Sequence, residues 1–123
     1  MSAHRRITVD TVDYGRIEID EPVWCIVDHA RQRPGHRADI THSGAPVVAE
    51  VETIRGTDRI IEACISWAPF AELQPEPYPV LDVGDLPPMD PEEGRAVAAE
   101  IGLFIGKLYR LSNELDRLRR AGS

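Results

Sequence analysis

The sequence predicts an α+β fold, in which a small, mostly antiparallel β-sheet of two hairpins packs on one long C-terminal helix. Two pairs of short segments alternate apolar and polar residues, and each pair is joined by a turn-forming sequence. Beyond the last of them, apolar residues recur every three or four positions, as in a helix. A chain of 123 residues has the size of one domain, so we expect a single domain with a β-rich part (1–89) and a helix (90–120).

The first hairpin is predicted for residues 6–12 and 16–20. In both segments isoleucine or valine alternates with polar residues, which places the apolar side chains on one face of each strand. The intervening Asp13-Tyr14-Gly15 is typical of a turn. Pro22 removes a backbone donor, so we expect it to end the second strand.

The second hairpin is predicted for residues 46–54 and 59–67, with a turn at 55–58. Both segments are rich in valine and isoleucine, which favour the pleated surface of a sheet. A further short run, residues 79–83, predicts an edge strand because it follows a proline-rich stretch and contains valine and leucine.

The remaining β-rich part is predicted to be irregular. Residues 21–45 show no clean period and form a loop with one helical turn, apart from a short strand expected at 38–42. Residues 74–79 alternate proline with polar or aromatic residues, which predicts an extended, polyproline-like connector.

The C-terminal helix has a well-defined predicted start. Asp90 is suited to the N-cap, Pro91 to the first helical position and Glu93 to the position that completes a capping box. We expect the helix to continue to Arg120, because basic residues concentrate in its last turn, where the helix dipole is negative.

Apolar residues of this helix follow an alternating spacing of four and three, which is the a/d pattern of a coiled coil. The seam consists of Val97, Ile101, Phe104, Leu108, Leu111, Leu115 and Leu118. A 30-residue helix is about 45 Å long, whereas a compact chain of this length has a radius of gyration of about 14 Å. We therefore expect the seam to be covered by a second copy in a homodimer. The alternatives are a different protein partner, or a break near Gly106 or Ser112-Asn113 that folds the helix back on itself.

A row of small residues also runs along the first half of the helix, at spacings of four. It consists of Gly94, Ala98, Gly102 and Gly106. An interior glycine costs about 1 kcal/mol of helix stability relative to alanine. We therefore expect the row to face another backbone at close range, either in the sheet or in the partner helix.

The charge balance limits the classes of partner. There are 14 basic and 21 acidic residues, a formal net charge of −7, which is unfavourable for non-specific binding to nucleic acid or to an anionic membrane. No apolar run approaches the ~20 residues needed to span a bilayer. The basic N-terminus leads into a β-patterned segment, so we expect no signal peptide and a cytoplasmic location.

A group of cysteine, histidine and aspartate residues in the irregular loop suggests a structural zinc site. The candidate ligands are Cys25, His29, His42 and Cys64, with Asp39 or His36 as substitutes. Zinc takes four ligands and prefers thiolate sulfur and imidazole nitrogen. A spacing of four brings the first two candidates to one face of a helical turn. The alternative is that the two cysteines are small core residues and the histidines are surface groups.

These observations favour a cytoplasmic, homodimeric interaction or adaptor module with a structural zinc site. One alternative is a small dimeric regulator that binds nucleic acid through Arg117, Arg119 and Arg120, paired in the dimer. Another is a cysteine-dependent enzyme in which Cys25 works with a histidine. No phosphate-binding loop, dinucleotide fingerprint or nucleophile elbow is present in the sequence, so an enzyme is the less favoured interpretation.

The spacing of residues in the loop resembles a family of small actinobacterial proteins of unknown function. The shared pattern is Trp24-Cys25-x3-His29, preceded by Pro22, and then Asp39-x2-His42-x-Gly44. The Ala-Pro-Phe segment at 68–70 and the acid-capped C-terminal helix are similar too, so that the likeness extends over residues 8–118. The resemblance brings no established activity and implies only that Cys25, His29 and His42 act together.

Overall fold

The α+β class is confirmed by a computed structural model that describes residues 4–73 and 76–122. The chain divides into two units, one ending at Met89 and the other beginning at Asp90, where the sequence pattern changes from strand to helix. Within the described residues, no helix combines the length and apolarity needed to cross a bilayer.

The first hairpin forms as predicted. Strand β1 (His4–Thr11) pairs antiparallel with β2 (Gly15–Pro22). Gly15 takes a φ of +68°, which glycine adopts at little cost and which closes the tight turn. The inward-facing side chains join the loop residue Ile40 in a small core. This core consists of Val9, Ile19 and Ile40, with Ile7, Ile17 and Phe70 packed against it.

The second hairpin belongs to a separate, four-stranded antiparallel sheet. The sheet contains β3 (His42–Ser43), β4 (Val47–Thr53), β5 (Gly56–Trp67) and β6 (Val80–Val83). Strand β5 pairs with each of the other three strands. The predicted strand at 79–83 is confirmed as β6. The predicted turn at 55–58 is shorter than expected, because Gly56 already pairs with Thr53.

The irregular segment differs from its prediction at one point. The strand expected at 38–42 is wrong for its first half, because Arg37–Asp39 forms a 3-10 turn and only His42–Ser43 pairs with β5. The first 3-10 turn of the segment, His29–Arg31, precedes this one, so the loop contains two such turns where the sequence predicts one. The predicted connector at 74–79 begins with two residues that lie outside the described part of the chain.

Helix α1 (Pro91–Arg120) is continuous over 30 residues. Asp90 caps it: its carboxylate accepts from the backbone N–H of Glu93, and the Glu93 carboxylate accepts from the backbone N–H of Asp90. The expected capping box is therefore confirmed, and the alternative of a break near Gly106 or Ser112 is wrong. None of the described side chains of α1 is buried within the chain.

Candidate metal centre

The end of strand β2 positions a buried carboxylate. Glu21 follows Ile17 and Ile19 at intervals of two, so the pleat of β2 directs its side chain inward with theirs. It is paired in register with Arg5 on β1. The Arg5 Nε donates to Glu21 Oε2 at 2.7 Å, while Glu21 itself is only 2% exposed. A buried carboxylate requires such compensation.

The turn that follows β2 brings a thiol and an imidazole next to this carboxylate. Pro22 ends the strand, and its carbonyl accepts from the backbone N–H of Cys25 at 3.1 Å, which closes a tight turn. Four residues later, His29 begins the first 3-10 turn. Both Cys25 and His29 are buried. The Cys25 Sγ lies 3.7 Å from His29 Nε2.

The second imidazole of the cluster, that of His42, lies on strand β3. The backbone N–H of Ile26 donates to the carbonyl of Ser43 at 2.9 Å, which ties the loop to β3. In the same strand, His42 pairs in register with Trp67 of β5, and its ring lies 5.6 Å from the indole, centroid to centroid. His42 is 0% exposed, and its ring meets that of His29 edge-on at 5.3 Å.

Together these elements gather four buried ligand side chains: Glu21, Cys25, His29 and His42. One donor atom from each lies within 4.8 Å of the others. The Glu21 Oε1 is 3.4 Å from His29 Nε2. Zinc bonds of about 2.0–2.3 Å in a tetrahedron separate ligand atoms by about 3.3–3.8 Å. The two distances from His29 Nε2, to Cys25 Sγ at 3.7 Å and to Glu21 Oε1 at 3.4 Å, match this spacing, and all four donor atoms lie within 4.8 Å of one another.

The surroundings of Cys25 disfavour the thiolate form of its side chain when no cation is bound. Burial raises the pKa of the Cys25 thiol, backbone hydrogen bonds at Val27 and Ser43 lower it, and Glu21 raises it again. The net effect is a raised pKa, whereas reactive cysteines have a lowered one. A bound divalent cation would displace the proton of the Cys25 thiol. The resulting thiolate and the Glu21 carboxylate would together neutralise the two positive charges of the cation.

The structure brings together three of the four ligands named from the sequence. Cys64 lies instead on β5, half-buried and opposite Asp82 of β6. The two substitutes lie on the second 3-10 turn and its N-terminal flank with largely exposed side chains, and there His36 Nδ1 is 3.9 Å from Asp39 Oδ2.

Glu21 is the member of the cluster that residue type and spacing do not predict. In a strand, an acidic residue is usually a solvated group, and Glu18 and Asp20 of β2 are exposed. The alternation of apolar and polar residues along β2 could have identified Glu21, because Glu21 continues the inward-facing series of Ile17 and Ile19. Arg5 has the same phase on β1, two positions before Ile7.

Comparison with protein families places most of the chain in one of them. The family model described as a domain of unknown function (DUF6907) matches residues 6–117, a span that contains all four residues of the cluster. No curated protein and no solved structure matches the chain.

Proposed function

The chain belongs to this family of unknown function, and we propose that it is an interaction module built around a structural zinc ion and joined to a second copy through α1. The ligands of the ion are Glu21, Cys25, His29 and His42. The observation that carries the proposal is the convergence of four buried donor side chains on one point.

The donor set favours zinc over the other common divalent ions. One thiolate and two imidazoles are unsuitable for magnesium and calcium, which take oxygen ligands. Copper accepts the same nitrogen and sulfur donors. The carboxylate and the close spacing of the four donor atoms agree with a zinc site made of one cysteine, two histidines and one glutamate.

The arrangement supports a structural role for the ion. Catalytic zinc has three protein ligands and keeps a position open for water, whereas structural zinc has four protein ligands. All four side chains of the cluster are buried. They come from the end of β2, the following loop and β3, so one ion would connect three segments of the chain.

The metal centre is tested by elemental analysis of the freshly purified full chain. We expect about one zinc per chain, and its loss in Cys25→Ser and His42→Ala. Cys64→Ser and His36→Ala are matched controls, because these residues lie outside the cluster, and both should retain the metal. Glu21→Gln should lose the zinc and Cys64→Ser should retain it, and this difference would identify Glu21 as the fourth ligand. Metal-free wild-type protein, or zinc retained in Cys25→Ser, would refute the proposal.

The helix supports self-association. Its a/d seam is a row of large apolar side chains left exposed, with Leu111 at 67% and Leu115 at 54%. An exposed apolar row of this length marks an interaction site. The alternating spacing of four and three fits another helix with the same repeat, which a second copy provides.

Sedimentation of the full chain tests the dimer. We expect twice the chain mass for the wild type and the single-chain mass for Leu111→Glu, which places a charge in the seam. Tyr109→Glu is the matched control, since Tyr109 is equally exposed but lies outside the seam, and it should remain dimeric. A monomeric wild type, or co-purification in a stoichiometric complex with a different protein, would contradict self-association.

The two alternative functions gain no support from the structure. Of the C-terminal arginines, Arg117 is paired with Glu114 and Arg120 with Asp116. The chain as a whole carries a net charge of −7, which opposes binding to nucleic acid. The raised pKa of Cys25 is the opposite of what a cysteine nucleophile needs. We therefore propose neither a nucleic-acid regulator nor a cysteine enzyme.

A further inference from the structure

We propose that the two copies of α1 run antiparallel; this rests on the dimer proposed above and adds its geometry. The observation behind it is an uneven distribution of charge along the helix. The first half, residues 91–105, holds three acids and one base, a net charge of −2. The second half, residues 106–120, holds two acids and five bases, a net charge of +3.

A helix with oppositely charged halves is complementary to a reversed copy of itself. In the antiparallel arrangement, each negative half lies along the partner's positive half, and the two helix dipoles attract. In the parallel arrangement, like-charged halves lie side by side. This self-complementarity also argues for a second copy as the occupant of the seam, because the same patch serves both chains around a two-fold axis.

The spacing of the seam allows a full antiparallel overlap. With the axis between Tyr109 and Arg110, each a position faces a d position of the other chain. The layers pair Leu108 with the partner's Leu111, Phe104 with the partner's Leu115, and Ile101 with the partner's Leu118. The seam of one helix is thus covered by that of the other over almost all of its length.

The flanking positions favour the same orientation. The antiparallel overlap places Lys107 beside the partner's Glu114, which adds an attractive pair on each side of the axis. A parallel pair would gain a contact between Glu114 and the partner's Arg119. It would also set the charge of Glu100 beside the apolar side chain of the partner's Ile105, and the opposition of like-charged halves would remain.

Pulsed dipolar spectroscopy on spin-labelled full chain tests the orientation. Single spin labels are attached at Arg110→Cys or at Ala121→Cys, each in a Cys64→Ser background. The Cys64→Ser variant alone is the control and should take up no label, because its remaining cysteine, Cys25, is buried. Position 110 lies next to the proposed axis, so its two labels should be within about 20 Å in either orientation. Position 121 should give about 35 Å when the helices are antiparallel, from the rise of 1.5 Å per residue.

The outcomes separate the orientation from the dimer itself. A short distance at 110 with a long distance at 121 supports the antiparallel pair. Short distances at both positions would overturn the antiparallel orientation while leaving the dimer in place. The absence of any interchain distance at 110 would overturn the dimer, and the orientation with it.

Discussion

At the scale of single residues, the cluster depends on how a buried carboxylate is kept in place. The Glu21 Oε2 accepts from Arg5 Nε, which leaves Oε1 on the side of His29 and the other donors. The Arg5 guanidinium would therefore act on the proposed metal centre through Glu21, without contacting the ion. Its own side chain is largely exposed, so substitution of Arg5 leaves no cavity in the core.

Replacement of Arg5 by alanine should weaken zinc binding by about 10–100-fold, the usual effect of removing a group that orients a ligand. Competition with a chromophoric chelator measures this change. Arg6→Ala is the matched control, because Arg6 is the next residue and pairs with the exposed Asp20 instead. Equal affinities for the two variants would show that Arg5 does not position Glu21.

The sequence predicted the cluster only in part, for a reason that lies in single side chains. Cys25, His29 and His42 are predictable because cysteine and histidine are rare residue types and these three lie close together in the sequence. Glu21 belongs to a common type, and its role depends on which face of β2 is buried. Cys64 has the right type, but strand pairing places it opposite Asp82, a relation that no local pattern reveals.

At the scale of elements, local sequence patterns were sufficient to predict those helices and hairpins whose hydrogen bonds join residues close together in the sequence. Both hairpins and α1 have clear turns, caps and periods, and their positions were predicted closely. The position of the strand at 38–42 was not predicted closely. The two residues of β3 are a strand only because they pair with β5, and their own sequence contains no pattern that shows this. For the same reason, the assignment of the two hairpins to separate sheets could not be read from alternation alone.

The row of small residues on α1 allows a test at this scale. A Cβ added at Gly102 would meet nothing within 4 Å, and the position lies outside the a/d seam. Gly102→Ala should therefore raise the free energy of unfolding by about 1 kcal/mol, through helix propensity alone. Chemical denaturation followed by circular dichroism measures it.

The reverse substitution nearby serves as the control. Ala99 is exposed on the same helix, so Ala99→Gly should lower the free energy of unfolding by a similar amount. If Gly102→Ala instead destabilised the protein or its dimer, the row of small residues would be a close-contact surface, as its spacing predicts.

At the scale of the whole molecule, the proposed ion and the helix stabilise different units. All four proposed ligands lie before residue 43, in the unit that ends at Met89. The core of the first hairpin is small. In a unit with so modest a core, metal binding is expected to contribute directly to folding.

Removal of zinc by a chelator should therefore act on the two units unequally. Amide hydrogen exchange should accelerate in residues 21–43, because the loop and β3 lose the ion that connects them to β2. Exchange in residues 91–120 should stay unchanged, since the capped helix makes its own hydrogen bonds and its proposed partner is the same helix of another copy. His36→Ala, treated in the same way, should behave as the wild type. Faster exchange throughout both units would mean that the centre supports the fold as a whole, and unchanged exchange in the loop would contradict a structural role for the ion.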